Sequence, residues 1–243
     1  MPSWTFSIGP FQKLTEYIQA FIHLFYPHIC LQCGTDELNE QQIICDSCEQ
    51  TLPFTEFGKL KISPVEKIFW GRVPVQHVVA VLFFTKESLV QKIMAELKYH
   101  QNKRAGWLLG KLIAQELKQQ DYFDSIDLLI PIPISNRKKK KRGYNQTELI
   151  CNALIKHGMN STLYKGFITA RNESTQTHKD RLQRNAQMQD RFILQAPDLL
   201  KGKNILVIDD VLTTGATLEA VCQCILKASP ASIRIATAAY TID

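Results

Sequence analysis

The stretch Ile205-Leu206-Val207-Ile208-Asp209-Asp210-Val211-Leu212-Thr213-Thr214-Gly215-Ala216-Thr217 decides the fold class. Four consecutive apolar residues, Ile205 to Ile208, read as a strand buried on both faces, the usual state of a central parallel strand. Asp209 and Asp210 stand where that strand ends. Thr213 to Thr217 form a loop of small and hydroxyl residues, and the apolar period from Leu218 to Leu226 predicts a helix. Strand, loop and helix N-terminus together make an anion site. The free N–H groups and the positive end of the helix dipole face one point, and small residues let a phosphate approach closely. A P-loop would set a Lys beside the phosphates, and none lies between Asp209 and Glu219.

Working outward, strands and helices alternate. His77 to Thr85, Ile126 to Ile134, Phe192 to Leu194 and Ile233 to Ala238 read as strands. Leu89 to Tyr99, Trp107 to Leu117 and Gln146 to Ile155 carry helical spacing. The expected class is therefore α/β, a mostly parallel sheet with helices on both faces. Ligands of such sheets bind beyond the carboxyl ends of the strands. That places Ile130-Pro131-Ile132-Pro133 and the following Ser135-Asn136-Arg137 on the same rim, as a second anion-binding loop. Arg137 is the candidate cation there, with Arg142 and Lys98 as further candidates. Met159 to Asp190 is polar and poor in large apolar residues, which predicts a mobile loop.

Seven cysteines fall into two groups. Cys30, Cys33, Cys45 and Cys48 give C-x2-C-x11-C-x2-C, two knuckles whose thiolates can converge on one tetrahedral Zn²⁺. Disulfides are the alternative, disfavoured because nothing else suggests secretion. Cys151, Cys222 and Cys224 read as buried thiols of a reducing compartment. With 243 residues, 45% of them hydrophobic, the chain accommodates a medium domain and a small one. The expected division is an N-terminal amphipathic helix over 1–27, a four-cysteine zinc-finger module over 28–70 and the α/β domain over 71–243. Phe69, Trp70 and Trp107 read as core or interdomain packing.

The net charge of +6 is local. Arg137-Lys138-Lys139-Lys140-Lys141-Arg142 holds six positive charges, and without it 23 basic residues face 23 acidic ones. Such a run is either a solvated face or a phosphate-backbone contact, with Tyr144 nearby as a stacking ring. The apolar stripe Phe11, Leu14, Ile18, Phe21, Ile22 and Phe25 is too short to span a bilayer. It packs on a neighbouring domain or touches a membrane surface. The chain is expected to be cytoplasmic and not an integral membrane protein.

Two acids beside a single-phosphate loop suit a ligand with a phosphate at one end and vicinal hydroxyls, or a hydroxyl-bound Mg²⁺, near the other. Ribose 5-phosphate has that shape. The 205–217 stretch resembles the phosphoribosyl-pyrophosphate (PRPP) signature of type I phosphoribosyltransferases. The resemblance implies that Asp209 and Asp210 hold the ribose hydroxyls and that Thr213, Thr214, Gly215, Ala216 and Thr217 cradle the 5-phosphate. It extends further. The Pro-x-Pro strand end, Arg137, then Arg142-Gly143-Tyr144-Asn145-Gln146 resemble the ComF/ComFC competence protein family. So do Arg171 with Gln176, Leu182, Arg184, Asn185 and Phe192 behind it, Lys98-Tyr99, and the four-cysteine module ahead of them. The run of four lysines at 138–141 is longer than that pattern has. The resemblance implies a type I phosphoribosyltransferase-like fold and a flexible hood over Arg171 to Arg184 that closes on PRPP. It also implies a role in natural transformation, handling incoming single-stranded DNA at the cytoplasmic face of the inner membrane, with the DNA-uptake machinery as partner.

Two functions stay open. As an enzyme, the chain would transfer a phosphoribosyl group from Mg²⁺-PRPP to an acceptor the sequence does not name. Asp209, Asp210 and Arg171 would be catalytic, Ser135, Asn136 and Arg137 would take the pyrophosphate, and Arg171 with Arg181 would close the lid. As a competence factor, it would bind PRPP as a ligand, and the basic run 137–142 with Tyr144 would contact DNA. The four-cysteine module favours the second, because a salvage enzyme has no need of it.

Overall fold

A computed structural model describes residues 28–169 and 192–242. The N-terminal stripe, Arg171, Gln176, His178, Arg181, Leu182, Arg184 and Asn185 lie outside the described residues. The chain divides into two compact units, Met1–Thr51 and Leu52–Asp243. The larger unit begins earlier than the join expected near residue 70, since Val65 and Phe69 are buried in its apolar core.

In the smaller unit the knuckle Cys30–Thr35 closes through Cys30 N–H to the Thr35 carbonyl at 2.7 Å and Gly34 N–H to the Cys30 carbonyl at 3.0 Å. Leu31 N–H reaches the Ile43 carbonyl at 2.9 Å, and a short helix α1 (Asp46–Gln50) carries the last cysteine.

The larger unit holds a five-stranded sheet, all parallel. Its strands are β1 (His77–Phe84), β2 (Leu128–Pro131), β3 (Thr162–Leu163), β6 (Asn204–Leu212) and β7 (Ser232–Thr241), in the order β1-β7-β6-β2-β3. A separate antiparallel pair joins β4 (Phe167–Thr169) to β5 (Phe192–Leu194). β3 and β4 fall in the stretch read as loop from Met159 on, where strands this short carry too little alternation to be seen. The helices are α2 (Leu89–Tyr99), α3 (Lys103–Leu117), α4 (Asn136–Arg142), α5 (Gln146–Lys156) and α6 (Ala216–Leu226).

Period-two alternation sorts the sheet into two buried faces. Val78, Ala80, Ile130, Ile205, Val207 and Ile235 pack with Leu218, Val221 and Ile225 of α6 on one side. Val79, Val81, Leu129, Leu206, Ile208 and Ala236 alternate with them, are equally buried, and face the side where α3 and α5 meet the strands. Each fully buried Ile, Val or Leu contributes about 1.5–3 kcal/mol, which is why the central strand is apolar without a break. α3 approaches α5 closely: a Cβ on Gly110 would stand 2.3 Å from Ala153 Cβ and 2.8 Å from the Ile150 carbonyl.

The topology positions the site. From β2 the chain crosses to β3 on one side through α5, and from β6 it crosses to β7 on the other side through α6. The strand order therefore reverses between β2 and β6, and parallel crossovers put their helices on opposite faces. A crevice opens at the carboxyl ends of these two neighbours. Their register is held by the pairs Ile130 with Val207 and Pro131 with Ile208. At the opposite end Asp127 Oδ2 accepts Asn204 N–H at 2.8 Å.

Two sequence expectations change here. The key strand does not stop before the acids but runs through Asp209 and Asp210 to Leu212. Asn136 and Arg137, expected in a loop, open helix α4, which runs on to Arg142. Ser135 caps it by accepting Lys138 N–H at 3.4 Å, Gly143 ends it at φ 78°, and cations fill its last turn. Lys and Arg are good helix formers and are favoured at the negative end of the dipole, which offsets their mutual repulsion.

Candidate functional site

The Thr213–Thr217 loop is built by constraint from both ends. β6 enters it held between β2 and β7, and α6 leaves it at Ala216. Gly215 is the turn residue, buried and at φ 74°. The backbone conformation demands glycine, and a Cβ there would also crowd Ile68 at 3.0 Å and Phe69 at 3.1 Å. No side chain caps α6, and the first turn of any helix leaves its N–H groups without intrahelical partners. A concavity of about 40 Å³ lies here, bounded by Asp209, Val211 and the loop residues Thr213, Thr214, Gly215, Ala216 and Thr217.

The pleat separates the two acids. Asp209 shares the face of Ile205 and Val207 and opens on the loop concavity, whereas Asp210 turns to the α2 side. There Lys98 Nζ, at the end of α2, lies 2.8 Å from Asp210 Oδ2. Asp210 N–H donates to Asp209 Oδ1 at 2.8 Å. Burial, then the neighbouring Asp210, pushes the Asp209 carboxyl up to about 8, against the pull of Asp210 N–H, Lys98 and Lys138. The influence of Lys138 ties the start of the basic helix to the acid pair.

Arg72 is the residue that sequence reasoning missed. Its Nη1 donates to the Thr214 carbonyl at 3.1 Å and to the Ile68 carbonyl at 3.0 Å, while Nη2 pairs with Glu219. It thus ties the 213–217 loop to the first turn of α6 and to the 66–72 arm, whose Ile68 and Phe69 back Gly215. Phe69 is fully buried as expected, but Trp70 is 60% exposed and is not core. Trp107 is half-buried, with Lys156 Nζ 5.1 Å above its ring.

Across the crevice Ser135 serves as the α4 cap and Asn136 and Arg137 open its first turn, both exposed. Lys138, Lys139, Lys140 and Lys141 are exposed too, while Arg142 is half-buried and donates to Gln146 Oε1 at 2.9 Å. Tyr144 is half-buried, and its hydroxyl donates to the Leu97 carbonyl at 2.7 Å, pinning the end of α2 to the α4–α5 turn. Asn145 Nδ2 donates to the Ile132 carbonyl at 3.0 Å, and its Oδ1 accepts Thr147 N–H at 3.2 Å. The Gly143-Tyr144-Asn145 stretch thus positions the rim.

In the smaller unit the sulfurs of Cys30, Cys33, Cys45 and Cys48 all lie within 4.8 Å of one another. Cys33 Sγ and Cys45 Sγ are 3.7 Å apart, too far for a disulfide. A tetrahedron with Zn–S of about 2.3 Å has edges of about 3.8 Å, so the set fits Zn²⁺. Burial resists ionisation of Cys30, but the backbone amides of Cys33, Cys45 and Gln32 outweigh it and bring that thiol to about 6. Burial and the other three sulfurs push Cys48 to about 12. Four thiolates can coexist there only around a cation. Cys151, Cys222 and Cys224 are buried, and Cys224 Sγ donates to the Phe192 carbonyl at 3.7 Å. Among the described residues no helix is long and apolar enough to cross a membrane.

With the loop, the acids and the crevice in place, the relatives can be named. Residues 163–242 match the phosphoribosyl transferase domain model. The chain is 24% identical over 211 residues to the DNA utilization protein YhgH of Salmonella typhimurium (strain LT2), covering 85% of this chain and 82% of that protein. It is 31% identical over 111 residues to the competence protein ComFC of Bacillus subtilis (strain 168), covering 46% and 43%. These relatives bear out the resemblance to the ComF/ComFC family. Among solved structures, the hypoxanthine phosphoribosyl transferase of Trypanosoma cruzi aligns with TM-score 0.37 and 15% identity, covering 59% of this chain and 75% of that one.

Three outcomes are expected. Arg72→Ala should speed amide exchange across residues 213–217, with a loss of about 1–3 kcal/mol of local protection from the charged hydrogen bonds, read by exchange mass spectrometry. Asp209 titrates near 8 when folded against an ordinary 3.8, so the folded chain holds a proton the unfolded chain has released. Its stabilising contribution is therefore present at low pH and lost as pH rises toward 8. Asp209→Asn escapes that loss, and its Tm relative to wild type should climb between pH 5 and pH 9. Metal analysis should find one Zn²⁺ per chain, and Cys48→Ser should abolish it.

Proposed function

We propose that the chain binds PRPP at the crevice between β2 and β6 and acts as a competence protein, handling incoming single-stranded DNA in the cytoplasm during natural transformation. The observation that carries the ligand reading is the joint exposure of Asp209 and the Thr213–Thr217 loop to one concavity at the start of α6. Backbone N–H groups and the helix dipole take the 5-phosphate, and Asp209 accepts from a ribose hydroxyl. Asp210, neutralised by Lys98, holds the other side of the strand end. Mg²⁺ suits the carboxylate oxygens and the phosphates, and when bound it offsets the charge of the pyrophosphate. Ser135, Asn136 and Arg137 flank the pyrophosphate end, and Lys138 on the same helix lowers the pKa of Asp209. Arg171, outside the described residues, keeps the catalytic role that the family resemblance implies.

The DNA reading draws on the relatives, one called a DNA utilization protein and another a competence protein. It draws also on the exposed cations of α4, which border the same crevice and suit phosphate backbones. Uptake machinery at the inner membrane is the matching partner, with this chain peripheral to it. Transfer chemistry is the second reading, favoured by the phosphoribosyl transferase match over residues 163–242. In it a nucleophilic acceptor bonds to C1 of the ribose as the C1–O bond to pyrophosphate breaks. This chain supplies positioning and electrostatics.

Calorimetry with Mg²⁺-PRPP tests the site. Wild type should bind, and the Asp209→Asn, Asp210→Asn double variant should not while keeping its circular dichroism. A folded, zinc-loaded wild type that gives no heat with PRPP would overturn the ligand reading. Release of pyrophosphate on adding an acceptor would select the transferase reading.

A further inference from the structure

Tyr144, the ring nearest the basic run in sequence, is half-buried with its hydroxyl committed to the Leu97 carbonyl. A different ring occupies the surface. Tyr99, the last residue of α2, is 64% exposed. The Arg142 guanidinium lies over it at 6.0 Å from the centroid. The same helix end carries Lys98, paired with Asp210 at 2.8 Å, so the ring stands beside the crevice and not on a remote surface. The exposed side chains of Lys138, Lys139, Lys140 and Lys141 surround the same short helix, and Lys138 acts on the Asp209 carboxyl.

We propose that Tyr99, backed by Arg142 and continuous with the α4 lysines, is the base-stacking platform of a single-stranded nucleic-acid surface at the mouth of the crevice. This deepens the DNA-handling reading above and rests on it. The chemistry selects that ligand. A flat ring with a cation behind it offers a stacking face to any base, and the exposed ammonium groups around α4 take the phosphates without sequence preference. In a duplex the bases stack on one another and offer no free face, so the ring discriminates for single strands. An acidic peptide would use the lysines and leave the ring idle. Leu97 holds the position: its carbonyl accepts from Tyr144, which fixes the end of α2 against the turn that follows α4.

Fluorescence anisotropy with a labelled single strand about 20 nucleotides long, titrated over a salt series, tests this. Tyr99→Ala should weaken binding about 10-fold or more with an unchanged salt slope, because stacking releases no counterions. Tyr99→Phe should bind as wild type. Replacing Lys138 to Lys141 by Ala should instead make the log–log salt slope shallower by about 3. Tyr99→Ala binding like wild type, or Tyr99→Phe failing like Tyr99→Ala, overturns the platform while leaving the DNA reading standing. Equal loss of poly-glutamate binding in Tyr99→Ala overturns it too. Wild type that binds no single strand at any salt overturns both.

Discussion

The hydrogen-bonded seam of β2, β6 and β7 is the constraint on which the rest depends. All three strands run the same way, so their carboxyl ends share one edge. The reversal of strand order between β2 and β6 leaves a crevice at that edge with no crossover to close it. β6 is covered on both faces and must be apolar until it emerges, then must turn sharply into α6. Gly215 meets that demand through its positive φ and its contact with Ile68 and Phe69. The same turn leaves the helix N–H groups facing outward.

Carrying two acids to the end of such a strand costs free energy, and the surroundings divide it unevenly. Asp210 has Lys98 at 2.8 Å, while Asp209 is left facing the loop with only more distant cations and the Asp210 N–H. The result is one neutralised carboxyl and one poised to gain from a hydroxyl or a cation at the concavity. Arg72 fastens the loop by its outer side, through the Thr214 carbonyl and Glu219, so that the inner side stays open. Loop geometry is thus over-determined, as an anion site requires if its donors are not to relax onto one another. In the smaller unit the reverse holds: four crowded thiols resist joint ionisation, and a metal supplies the missing positive charge.

Much of this was legible in the sequence. The apolar run, the glycine turn and the following period are local signals, and the cysteine spacing is as direct. Cys151, Cys222 and Cys224 are buried as read. Other features were misread for physical reasons. Ser135-Asn136-Arg137 looked like the start of a loop after the prolines, yet Ser135 and Gly143 cap a short helix there and its last turn suits cations. Trp70 looked like core because of its size, but it follows a turn that buries Phe69 instead. Tyr144 adjoins the lysines in sequence, and only the packing shows that its hydroxyl is committed to the Leu97 carbonyl.

By itself the sequence determined which groups the site brings together. Residue order along one strand, one loop and one helix sets small residues and a helix N-terminus beside carboxylates, since those groups are held together by covalent spacing and backbone geometry. Which charges accompany them was decided only by the tertiary structure. Arg72 and Thr214 are 142 residues apart, and Lys98 meets Asp210 from a different helix. Coulomb attraction and hydrogen bonds act through space, and no local pattern records which distant side chains the packing will bring within reach.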